Sequence, residues 1–186
     1  CKAMGSPYEP TGAAYMPGEG AAYLRLEGFE DQLAYRSAAL RKHLGLTLDP
    51  LPDEAGRNVW TALRDVQALQ AGPADAVWRI SVPPTKAARV AAAIAAERPT
   101  RHCLDWSGGL IWLATPEEDG AGATLMQQLA AEAGGHATLI RASEALRATA
   151  SVFQPLPPAV MKLQAGLKAS FDPDGILNPG RMHAGL

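Results

Sequence analysis

Stretches of this chain in which apolar and polar residues alternate are interleaved with stretches whose apolar residues recur three or four positions apart. The segment AAYLRLEG (21–28) sets Leu24 and Leu26 on one side of an extended chain and Tyr23, Arg25 and Glu27 on the other, which predicts the first strand, half-buried. FEDQLAYRSAALRKHLG (29–45) then spaces Phe29, Leu33, Ala34, Leu40 and Leu44 for a helix. Acids stand in its first turn, Arg41, Lys42 and His43 in its last, and Gly45 is its stop. A second helix is expected from Asp53 to Leu69, with Val59, Leu63, Val66 and Leu69 on one face and Gly72-Pro73 after it.

AVWRISVPP (76–84) predicts a second strand, with Trp78, Ile80 and Val82 inward and Arg79 and Ser81 outward. Thr85 is placed to cap an alanine-rich helix from Lys86 to Glu97. RHCLDWSGGLIWLAT (101–115) reads as a hairpin around Ser107-Gly108-Gly109. A helix from about Glu117 to Ala133, a strand HATLIRA (136–142) and a closing helix from Pro158 to Ser170 complete the pattern. Helices mixed with hairpins in this order imply an α+β fold, an antiparallel sheet with helices packed on one face. Leu24, Leu26, Trp78, Ile80 and Val82 should lie under those helices, with Arg25 and Arg79 on the opposite face.

Composition narrows the function. The chain has 186 residues, 47% of them hydrophobic but only 6% aromatic, with a net charge of -2. No basic block exceeds two residues, so binding nucleic acid by phosphate neutralisation is not expected. No apolar run approaches the ~20 residues of a membrane span. Two cysteines, Cys1 and Cys103, make no disulfide framework and point to a reducing, cytoplasmic setting. The opening CKAMGSPYEP carries no initiator methionine and reads as a cut within a longer polypeptide.

Few motifs carry chemistry. The glycine pairs at 18–20, 108–109 and 120–122 never lead from a strand into a helix as a dinucleotide fingerprint does. His43, His102, His136 and His183 lack a His or Cys at ligand spacing, so no metal site is expected. Cys103 sits in an apolar strand, which disfavours a nucleophilic role. His136 stands at a helix-to-strand corner, as a ligand-facing or merely capping side chain. Arg25 and Arg79 would share one open sheet face if their strands were neighbours. Their guanidinium forks then either hold an organic acid or pair with acids such as Glu27. Trp106 and Trp112 fit core positions better than an exposed platform.

The end of the chain is different. FDPDGILNPGRM (171–182) sets Asp-Pro, Asp-Gly and Asn-Pro-Gly turns around Ile176-Leu177, a stiffness that ordinary tails lack. This stretch resembles the C-terminal signature of FAD-linked oxidases of the vanillyl-alcohol-oxidase type, in which DPxGxxNPG followed by Arg or Lys closes the protein. YLRLEG (23–28), VWRISVP (77–83), LDWSGGLIWL (104–113) and AGGHATL (133–139) are similar, in the same order, to FAD-binding subunits of bacterial glycolate oxidases (the E-type).

The resemblance implies a cap domain with a ferredoxin-like antiparallel sheet, lying over a flavin that a preceding N-terminal FAD-binding domain of the same polypeptide holds. It divides the chain into a linker (1–20), a cap or substrate domain (21–155), and a helix with a flavin-contacting tail (156–186). FAD is the implied cofactor of the longer protein, and this part alone is expected neither to retain it nor to be active. Asn178, Pro179, Gly180 and Arg181 would contact the cofactor. Arg25, Arg79 and His136 would hold a small 2-hydroxy acid, and Arg79 and Arg181 are the candidate catalytic residues. The implied partners are a second flavin subunit and an iron–sulfur subunit, without nucleic acid or a membrane span. The metal-ligating histidine motifs of the second flavin subunit are absent from this sequence. A free-standing ferredoxin-like module that binds a small molecule or a partner without catalysis is the alternative.

Overall fold

The computed structural model describes residues 1–70, 75–180 and 182–183. Gly72-Pro73 and Arg181 therefore lie outside the described residues. The strands are β1 (Gly12–Met16), β2 (Ala21–Arg25), β3 (Asp75–Ser81), β4 (Arg101–Asp105), β5 (Leu110–Pro116) and β6 (His136–Arg141), and they form one antiparallel sheet in the order β2-β1-β4-β5-β3-β6. The helices are α1 (Glu30–Leu44), α2 (Asp53–Arg64), α3 (Ala87–Glu97), α4 (Ala123–Glu132), α5 (Glu144–Thr149) and α6 (Pro158–Phe171). From β3 to β6 the chain runs strand, helix, two strands, helix, strand, which is the ferredoxin-like arrangement. The expected α+β class with an antiparallel sheet holds.

The main core lies between this sheet and the pair α3 and α4. Trp78, Ile80 and Val82 from β3 and the residue following it meet Val90 and Ile94 of α3 and Met126 and Ala130 of α4, all of them buried. Ile111 and Leu113 come from the neighbouring strand, directly opposite Ile80 and Trp78. Period-two alternation on the strands and a 3.6 period on the helices bring these residues together, so the inward side of β3 is the one expected.

Several elements differ from expectation. Residues 12–16, expected within a linker, form β1 and join the sheet between β2 and β4. Backbone pairing with β2 places them there, since their small apolar residues give little periodic signal. Leu24 and Leu26 are half-buried rather than core, because β2 is the sheet's edge and its helix-side neighbour Tyr15 is itself exposed. Helices also occupy both faces. Leu63 and Leu69, on and after α2, pack with Ala14, Met16, Val77, Cys103 and Ala114 on the side away from α3 and α4. The predicted second helix is shorter than expected, ending at Arg64 before a 3-10 turn at Gln67–Leu69.

Thr85 caps nothing; it sits in a 3-10 turn, and no side chain caps α3. The helix expected from Glu117 begins only at Ala123, because Asp119, Gly120, Ala121 and Gly122 take left-handed conformations. Trp78 Nε1 donates to the Ala121 carbonyl at 3.1 Å and Arg98 donates to that of Glu118 at 3.1 Å. A helix running through this turn would consume those carbonyls in its own ladder. The short α5, which the apolar spacing does not announce, starts where Ser143 Oγ accepts from the Leu146 amide at 3.2 Å.

Candidate functional site

Register decides which side chains share the face away from α3 and α4. Arg79 lies opposite Trp112 on β5 and Thr138 on β6, and Ser81 lies opposite His136. Paired residues point to the same side, so Arg79, Ser81, Trp112, His136 and Thr138 line one patch. Arg79 and His136 are both exposed there, on diagonal positions about 7–8 Å apart at their Cα atoms. Arg25 is on the same face, but β1, β4 and β5 separate its strand from that of Arg79. Four strand spacings amount to about 19 Å, so the two arginines are not neighbours.

Each arginine instead lies over a tryptophan. The Arg25 guanidinium is 5.9 Å from the Trp60 ring centre and forms an ion pair with Glu27 at 2.7 Å. That of Arg79 is 5.7 Å from the Trp106 ring centre, with no ion pair among the described residues. Arg25 therefore has Glu27 as an ion-pair partner on that face. Arg79 keeps its donors available on an open face.

Trp106 corrects another expectation. Its side chain is 59% exposed rather than core, whereas Trp112 is half-buried against the α2 side. The β4–β5 turn places it: Trp106 and Ser107 adopt left-handed φ values of 52° and 61°, and the Trp106 amide donates to Asp105 Oδ1 at 2.7 Å. Gly108 has φ of 99°, and a Cβ on it would lie 2.7 Å from the Pro84 carbonyl oxygen, so only glycine lets the turn sit against the entry to α3. Trp106 also lines an open cleft of about 430 Å³ together with Gly12, Arg25, Trp60, Asp105 and Ser107, among others.

The tail forms the second candidate region. α6 buries none of its residues; Leu163, Leu167 and Phe171 are exposed, and so are Ile176 and Leu177 beyond it. Asp172, by contrast, is buried and accepts from the Ile176 and Leu177 amides at 3.0 Å each. Lys168 Nζ also donates to the Asp172 carboxylate and to the Leu177 carbonyl. Those hydrogen bonds, Lys168 first, hold the Asp172 carboxyl below its ordinary 3.8. A carboxylate knot thus shapes the loop that leads to Asn178, whose φ of 46° is left-handed, and to Pro179 and Gly180, all exposed. Asn tolerates that conformation better than most residues. The turn signals announced a stiff tail; the role of Asp172 as its organiser was visible only as the first letter of an Asp-Pro pair.

Nucleophilic chemistry finds no support at Cys103. Burial, and then the Asp105 carboxylate, push its thiol up to about 11. His102 is turned to the helix side, opposite Leu113, and burial lowers its pKa from 6.5. Among the described residues no three His, Cys, Asp or Glu side chains gather to hold a metal. No described helix is long and apolar enough to cross a membrane.

Residues 149–182, which span α6 and the tail, match the family of FAD linked oxidases, C-terminal domain. It is this segment of the chain that carries the likeness to that domain. The chain is also similar to the glycolate oxidase subunit GlcE of Escherichia coli (strain K12), with 31% identity over 180 residues that take in 97% of this chain and 43% of that protein. The chain thus spans less than half the length of the curated relative it matches. No solved structure matches it.

Proposed function

We propose that the chain is the cap and tail of an FAD-dependent oxidoreductase that converts small 2-hydroxy acids, glycolate among them, to 2-oxo acids. The cap runs from β1 to about residue 155, the tail from 156 to 186, and only the residues before β1 remain as a connection to an N-terminal FAD-binding domain. A second flavin subunit and an iron–sulfur subunit complete the assembly, in the cytoplasm.

The observation that carries this reading is the bare apolar face of α6 and the tail, in the same segment that matches the family. Five large apolar side chains, Leu163, Leu167, Phe171, Ile176 and Leu177, are left in water beside an aimed polar loop. Such an arrangement suits a surface that another domain covers. The described residues fit one edge of a flavin ring rather than a whole dinucleotide. Asn178 offers an amide donor and acceptor and Gly180 allows close backbone approach, whereas the glycine loop at 120–122, which contrary to expectation leads from β5 into α4, has Ala121 buried and the Arg98 side chain packed against Gly122.

FAD, when bound, supplies the acceptor for the two electrons that leave with the C2 hydrogen of the acid. The tasks of this chain are positional. Arg79 forks onto the substrate carboxylate, His136 lies beside it on the same face, and the sheet excludes water. Arg181, from its place next to Gly180, stabilises negative charge near the ring.

The test uses the longer polypeptide with its partner subunits. Asn178→Ala and Arg181→Ala should each lower FAD content or 2-hydroxy-acid-dependent dye reduction at least about tenfold, the effect of losing a hydrogen bond to a charged or polarised group. Melting temperature should hardly change. Full FAD and full activity in both variants would contradict the reading.

A further inference from the structure

We propose that Trp106 is a positioning residue for Arg79, and that the left-handed turn between β4 and β5 exists to place it. This rests on the reading of Arg79 as the carboxylate-binding group. Arg79 stands on an exposed sheet face and has no ion pair among the described residues to fix its long side chain. An arginine with that freedom loses rotamer entropy whenever it binds a ligand. The indole of Trp106, 5.7 Å below the guanidinium, removes part of that freedom beforehand. The guanidinium donors that do not face the indole stay available for a carboxylate.

The indole is held in turn. Trp106 and Ser107 both take left-handed backbone conformations, which bulky residues seldom adopt without compensation. Asp105 Oδ1 accepts from the Trp106 amide at 2.7 Å, the Gly109 amide donates to the Trp106 carbonyl at 2.9 Å, and Gly108 sits where no side chain fits against Pro84. Strain of this kind at the tip of a hairpin, supporting an exposed tryptophan, has no evident use in the core. It serves the aromatic platform under Arg79.

Kinetics of 2-hydroxy-acid-dependent dye reduction by the assembled enzyme, together with equilibrium binding of the unreactive dicarboxylate oxalate followed by flavin absorbance, test this. Trp106→Ala should raise KM, and the oxalate Kd with it, by about three- to fivefold, the range of an exposed cation–π contact, with a smaller change in kcat. Trp106→Phe, which keeps an aromatic face, should recover most of the loss. Arg79→Gln should raise both constants further, and adding Trp106→Ala to it should change nothing more, because the two residues act as a unit. If Arg79→Gln weakens binding and Trp106→Ala does not, or if the two effects simply add, the positioning role falls and the carboxylate site stands. If Arg79→Gln itself leaves both constants unchanged, the carboxylate site falls and the role of Trp106 with it.

Discussion

Two helical regions of this chain treat their apolar residues in opposite ways. α3 and α4 press Val90, Ile94, Met126 and Ala130 into the sheet until nothing of them is left to solvent beyond a few percent. α6, of similar apolar content, buries nothing, and Phe171 at its end is 83% exposed. All three helices obey the same hydrophobic driving force, so the difference lies in what each was given to pack against. α3 and α4 cross between strands of one sheet and meet their partner within the chain. α6 follows the last strand, and the sheet face still open there presents Arg79 and His136 rather than an apolar surface. Its apolar side is a demand for surface from elsewhere, while the Asp172 knot beyond it fixes the direction in which the tail leaves.

The contrast can be broken first at the core. Trp78→Ala removes a fully buried indole and its hydrogen bond to the left-handed turn at Ala121, and should destabilise the fold by about 3–5 kcal/mol. Chemical denaturation of the variant measures this. A loss under about 1 kcal/mol would mean that the α3–α4 side is as loosely held as α6.

The converse expectation concerns Leu163 and Leu167. Changing both to Ala should alter the stability of this chain by no more than about 0.5 kcal/mol, the usual limit for exposed positions. In the longer polypeptide the same pair should cost several times as much, since the removed side chains would then be buried. Equal small effects in both settings would leave the apolar face of α6 unexplained.

The smallest effect is electrostatic. The Asp172 carboxyl is held below its ordinary 3.8, so its contribution to tail order is complete above that value and is lost as pH falls through the lower folded value. At neutral pH the knot is intact, and acid should release the Ile176 and Leu177 amides before the sheet melts. Amide NMR signals followed from pH 6 downward report this; loss of those signals at pH 5 would contradict it.

How much of this was legible beforehand follows from which interactions are local. The inward face of β3 was readable because alternation over seven residues leaves one register that buries Trp78 and Ile80. The hairpin at Ser107-Gly108-Gly109 was readable from its turn residues. β1 was not, since Gly12, Ala13 and Ala14 carry almost no pattern, and pairing with β2 rather than side-chain burial places them. The separation of Arg25 from Arg79 was also hidden, because strand order depends on crossovers that no single segment records. Trp106 looked like core as a strand residue would; only the positive φ values of the turn reveal that it leaves the strand. In the tail, stiffness was written in the turn residues, but the burial of Asp172 depends on Lys168 reaching it from α6.

The central claim is that α6 and the tail form a docking face for a domain that carries the flavin. Amide hydrogen exchange, compared between this chain and the longer polypeptide with FAD bound, tests it most directly. Strands β3 and β5 should exchange alike in both, because their core is already closed. Amides from Ala159 to Gly180 should exchange quickly in this chain and slow by at least about a hundredfold in the longer one. Equal exchange across 159–180 in the two proteins would contradict the claim.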